Sequence, residues 1–118
     1  MMGTAADVLA GIMGAVFALA GGGKLARLKP ARDNFRHWRY SPQFMVFTGL
    51  WETAGAALLI AGIWQHGLGI AGAALVGTSM LGAVYTHSLR VPEVKAMVPA
   101  AVFLAGAATT AGLLAASL

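Results

Sequence analysis

Three side chains place ionisable chemistry inside or at the edge of apolar stretches of this chain: Lys24, Glu52 and His87. Glu52 is the most exacting of them. It is the one charged residue in the run from Phe44 to Trp64, eight positions after Phe44. At ~1.5 Å per residue it sits ~12 Å below a membrane edge, a little short of the midplane. A carboxylate at that depth costs at least ~2.5 kcal/mol to insert, so it needs a partner. Helical spacing puts Thr48, Gly49, Gly55 and Ala56 on its own face and Phe47, Leu50 and Leu58 on the far one. Small residues mark a packed helix interface, so Glu52 is expected to point into a bundle. Thr48, one turn away, is placed to hydrogen-bond it.

Lys24 closes the first apolar run, on a stripe with Gly21, Ala20, Phe17 and Met13. His87 lies near the end of the third run, on a stripe with Ala83, Met80, Val76 and Ala73. All three groups fall in the same membrane half, so they are expected to converge on one polar cavity. Glu52 and His87 are the candidate catalytic pair for proton transfer; Lys24, Glu52 and Thr48 are the candidate ligand-binding or ion-pair set. An ion pair that only fixes helix register is the competing role for Glu52. His37 and His66 fall on opposite sides of the membrane, so no multi-histidine metal site is expected.

The elements that position these groups follow from composition. The 118 residues are 58% hydrophobic and only 10% charged, against roughly 25% charge in soluble domains. Mean hydropathy is +0.75. The pattern predicts an all-α integral membrane protein, a four-helix transmembrane bundle in one membrane domain over 1–118. The helices are expected at about 5–23, 44–64, 68–89 and 97–117, with a basic cytoplasmic loop over 24–43. The first run lacks a basic residue ahead of it and is expected to be an uncleaved span. Gly14, Ala18 and Gly22 form a small-residue ridge on it, Gly69, Ala73 and Gly77 another on the third helix, beside Ala74, Thr78 and Gly82. Pro99 is expected in the first turn of the fourth helix. Trp64 is expected as an interfacial anchor, and Asp33 or Asn34 as the cap of a short helical turn in the basic loop.

Net charge is +4, and all eight Lys and Arg fall in residues 24–43 and 90–96. Both segments join spans on one side, which predicts that this side faces the cytoplasm and that both termini lie outside it. Interleaved Phe35, Trp38 and Tyr40 suit a segment lying at the level of anionic headgroups, and no nucleic-acid motif is present. With no cysteine, the chain cannot itself be a dithiol oxidoreductase.

The ordered set Gly21-x-x-Lys24-Leu25, Phe35 in a basic loop, Gly49-Leu50-Trp51-Glu52 with Gly55-Ala56-x-Leu58-Leu59-x-x-Gly62, and Met80-x-x-Ala83-x-x-x-His87 resembles the DoxX-like family of small four-helix membrane proteins. The likeness covers nearly the whole chain. It implies kinship with a membrane subunit of archaeal quinol-oxidising and thiosulfate–quinone oxidoreductase systems, and with bacterial relatives linked to oxidative-stress or thiol-redox complexes. Localisation in a bacterial or archaeal plasma membrane follows from it. A quinone is then the expected ligand, no intrinsic cofactor is expected, and a redox partner protein or a second copy is the expected partner. A structural or assembly subunit without chemistry of its own is the alternative. A small proton-coupled exporter is the third reading; it is disfavoured because such exporters carry their key Glu in the first helix, where this chain has only Asp7 at the outer end.

Overall fold

A computed structural model describes residues 2–116. All regular structure in these residues is helical, with no strand among them. The elements are α1 (Met2–Leu25), α2 (Lys29–His37), α3 (Pro42–Ala61), α4 (His66–Tyr85), a π-helical turn (Thr86–Arg90) and α5 (Val94–Ala116). Four spans are long and apolar enough to cross a membrane: Thr4–Leu25, Pro42–Ala61, His66–Arg90 and Val94–Ala116. The fifth helix, α2, is the short amphipathic one in the basic loop.

Neighbours in space follow neighbours in sequence. The α1 helix packs on α3, α3 on α4 and α4 on α5, and α5 closes the ring onto α1. Lipid offers helices no hydrophobic reason to associate, so close packing and polar contacts must hold them together. The core meets that demand with one buried alanine from each span: Ala10, Ala56, Ala73 and Ala107. Phe17, Leu59 and Val76 fill the space around them.

The closest approaches use glycine. A Cβ on Gly72 would lie 2.6 Å from the Leu59 nitrogen and 2.7 Å from the Gly55 oxygen, so α3 and α4 touch backbone to backbone. Between α1 and α3, a Cβ on Gly49 would lie 2.9 Å from Lys24 Cβ and 3.0 Å from the Gly21 oxygen. The ridge that packs on α1 is therefore Ala10, Met13, Gly14, Phe17 and Gly21. Of the expected ridge only Gly14 takes part: Ala18 is exposed and a side chain on Gly22 would meet nothing within 4 Å. On α4, Gly69 and Ala73 are buried, whereas Ala74, Thr78 and Gly82 face outward.

Several boundaries move. The α3 helix starts at Pro42, where Ser41 caps it by accepting from the Phe44 N–H at 3.1 Å, and stops at Ala61. Trp64 thus lies past the helix end and is 80% exposed. The α5 helix starts at Val94, so Pro99 sits inside it and deprives the Lys95 carbonyl of its helical donor. Ser117, expected in that helix, lies outside the described residues. Neither Asp33 nor Asn34 caps α2, which begins at Lys29 after Leu28. Asp33 instead accepts from Lys29 one turn back at 2.6 Å, and that ammonium holds its carboxyl below the usual range.

Both α1 and α2 end in the same way. The N–H groups of Arg27 and Leu28 reach the carbonyls of Lys24 and Gly23, and those of Arg39 and Tyr40 reach Arg36 and Phe35. This is a Schellman cap, and it needs a left-handed residue at its fifth position, the one just past the helix cap. Here arginine fills it, with φ of 56° at Arg27 and 63° at Arg39.

Candidate functional site

The Gly21–Gly49 crossing brings the last turn of α1 against the middle of α3, and there Lys24 Nζ donates to Glu52 Oε1 at 2.7 Å. The Glu52 side chain is 3% exposed and that of Lys24 17%. The second carboxylate oxygen accepts from Ser79 Oγ of α4 at 2.9 Å. Glu52 is thus held from two sides by donors on two other helices.

Thr48 does not take the place expected of it. Its hydroxyl donates to the Phe44 carbonyl at 2.9 Å, satisfied within its own helix. The hydroxyl that reaches Glu52 comes from Ser79, whose only sequence signal was its place in the middle of an apolar span. Thr53, one residue after Glu52, has a buried hydroxyl with no partner among the described residues. That hydroxyl fills the space a side chain on Gly21 would need.

His87 lies in the π-helical turn, closed by the Val91 N–H on the Thr86 carbonyl at 2.8 Å. Single π turns recur at functional sites, and this one ends the span that α4 begins. The residue is 7% exposed, and its buried Nδ1 has no hydrogen-bond partner among the described residues. Its ring packs against Trp38, edge to face with centroids 5.0 Å apart.

Lys24, Glu52, Ser79 and His87 share one pocket of about 650 Å³. Its walls are mostly apolar, with Phe103 and Ala100 of α5 behind and aromatic rings of the basic loop and α3 in front. A mostly apolar cavity of that size with a few convergent polar groups is the usual form of a small-molecule site. Trp51 belongs to it as well, fixed by donation from its Nε1 to the Leu75 carbonyl at 2.7 Å. Among the described residues no three His, Cys, Asp or Glu side chains gather as metal ligands.

The basic loop closes this end of the pocket. Arg90 donates from Nε to the Trp38 carbonyl at 3.0 Å and from a terminal nitrogen to the Arg39 carbonyl at 2.8 Å, while its guanidinium lies 4.4 Å from the centre of the Tyr40 ring. The Trp38 carbonyl is one that the end of α2 leaves free, and that of Arg39 follows it just beyond the helix, near the negative end of its dipole. Thr86 spends its one proton on the Gly82 carbonyl, so at the 2.7 Å contact the Tyr40 hydroxyl is the donor. His37 and Glu93 add an exposed pair at 3.1 Å. Arg90→Ala should therefore release α2 at its C-terminal end. The expected result is loss of about 2 kcal/mol of local stability, read as faster amide exchange over residues 35–41 with unchanged exchange in α3. Unchanged exchange over 35–41 would show that the clamp holds nothing.

The sequence profile described as the DoxX-like family matches the chain over residues 8–110. The chain is also 39% identical over 77 residues to a Bacillus subtilis (strain 168) protein named "Uncharacterized protein YdgD", a match covering 64% of this chain and 68% of that one. No solved structure matches it.

Proposed function

The chain belongs to the DoxX-like family, and on that premise we propose that it is a membrane subunit of a quinone-linked or thiol and oxidative-stress redox complex, whose pocket receives the headgroup of a quinone or a similar lipophilic molecule. The observation that carries this reading is His87: a buried imidazole with an unsatisfied nitrogen, on the wall of an apolar pocket that also holds Glu52. Leaving a buried polar atom unpaired costs ~1–3 kcal/mol, a cost removed when a ligand carbonyl or hydroxyl reaches it. Reducing a quinone carbonyl to a hydroxyl takes up a proton at each oxygen. The role of this chain is to bind and orient the ring and to exchange protons through His87 and Glu52; electrons pass to or from a partner protein. The basic loop lies on anionic headgroups at the cytoplasmic face, with both termini outside.

The test is binding. A benzoquinone with a decyl tail, titrated into the detergent-solubilised protein, should quench its tryptophan fluorescence, since Trp38 and Trp51 both line the pocket. His87→Phe should weaken that binding about tenfold, which corresponds to ~1.4 kcal/mol, without lowering the melting temperature. Equal affinity in the variant would sink the reading.

One observation favours a purely structural subunit. Both Glu52 oxygens are already satisfied, by Lys24 and by Ser79. A carboxylate so held can serve as a three-helix tie and nothing more. In that case Glu52→Gln lowers stability and leaves the activity of any partner complex untouched.

A further inference from the structure

We propose that the pocket is filled from the side, by a molecule whose apolar tail stays in the hydrocarbon layer, through a slot between α3 and α4 that Gly82 keeps open. The proposal rests on the ligand reading above and adds to it the route and the tail.

The end of the pocket toward the basic loop is shut. Arg90 pins the end of α2, Tyr40 bonds Thr86, and Trp38 covers His87. The flank is not shut. The pocket is lined by Phe44, Phe47 and Tyr85, which are 43%, 55% and 52% exposed on helices that cross the membrane. An opening there leads into lipid, not water.

The two sides of the slot differ in kind. The rings of Tyr40, just ahead of α3, and of Phe44, Phe47 and Trp51 on α3 follow one another with centroids 4.9, 6.3 and 5.9 Å apart. That continuous aromatic wall runs from the loop down to the level of Glu52. Facing it, α4 presents Thr78 and Gly82. A Cβ on Gly82 would meet nothing within 4 Å, so this glycine is not needed for helix packing. Its effect is to leave a gap in which a chain can lie against the rings. A polar head drawn in along that wall arrives at Ser79, Glu52 and His87 while its tail remains outside. The ligand class is therefore a tailed, membrane-dissolved molecule, and Gly82 sets the width that such a tail must fit.

The experiment uses the full chain in vesicles. Trp38→Phe with Trp64→Phe leaves Trp51 as the one indole. In phosphatidylcholine brominated on the acyl chains, bromine entering the slot should quench Trp51 by at least half. Gly82→Phe should cut that quenching twofold or more, whereas Gly112→Phe, at another open glycine far along α5, should leave it unchanged. No quenching of Trp51, or equal quenching with and without Gly82→Phe, overturns the slot. A second arm keeps the ligand reading separate, with otherwise wild-type protein and a benzoquinone carrying or lacking a decyl tail. Gly82→Phe should weaken the tailed compound fivefold or more and the tailless one less than twofold. If neither quinone binds while bromine quenching still depends on position 82, the slot stands and the quinone reading falls. If both bind and position 82 alters neither binding nor quenching, the quinone reading stands and the slot falls.

Discussion

Lys24→Met is expected to lower the unfolding free energy in mixed micelles by about 3–5 kcal/mol, the usual cost of leaving a buried charge without its partner. The effect should be lopsided. Glu52 is short, 3% exposed and fixed in the middle of α3, so without Lys24 its charge has only the Ser79 hydroxyl to turn to. Glu52→Gln strands an ammonium instead, but Lys24 stands in the last turn of α1 on a flexible stem and can reach the interface. That variant should lose only about 1 kcal/mol. The double variant Lys24→Met with Glu52→Gln should recover most of what Lys24→Met lost, because a neutral amide still accepts from Ser79. Additive losses in the double variant would mean that the two charges are not coupled.

Gly72→Ala is expected to be nearly as damaging, at about 3 kcal/mol, although it adds one methyl group. The new Cβ would collide with the Leu59 nitrogen and the Gly55 oxygen, both backbone atoms that no side-chain rotation can clear. The α3 and α4 helices must then move apart, which also strains the bonds from Ser79 to Glu52 and from Trp51 to Leu75 that cross the same interface. Gly82→Ala on the same helix is the control. With nothing within 4 Å of its Cβ, it should leave stability unchanged or raise it by up to ~1 kcal/mol through helix propensity. Thermal melts of the two variants in one detergent make the comparison, and equal losses would refute backbone contact as the reason α4 carries Gly72.

Spans, and the inward aim of Glu52, were legible because both rest on local rules. An apolar run of membrane length must be helical, and a carboxylate in it must turn from the side bearing Phe47 and Leu50. The shared membrane half brought out Lys24 and His87 as candidate partners of Glu52 without choosing between them; the structure pairs it with Lys24. What escaped depended on rotation between helices. Ser79 and Thr48 are both hydroxyls within reach in principle, and only the crossing of α3 and α4 decides that Ser79 arrives while Thr48 turns to its own backbone. The Gly14, Ala18 and Gly22 ridge failed for a related reason. A strict spacing of four drifts around a helix, and the contact stripe follows Gly14, Phe17 and Gly21 instead. Arg90 gave no sign of its role, since a loop arginine ordinarily reads as a topology signal. The π turn that aims His87 has no sequence signature that the residues alone supply.

The Lys24–Glu52 pair also bears on how such a chain enters the bilayer. Its members sit on α1 and α3, consecutive spans that emerge from the ribosome one after the other, joined by the short amphipathic α2. The Gly21–Gly49 crossing lets the carboxylate meet its ammonium once α1 and α3 lie side by side, without waiting for α4 to pack. Such a hairpin carries its two ions as a neutral pair, and Ser79 of α4 adds the donor for the second carboxylate oxygen.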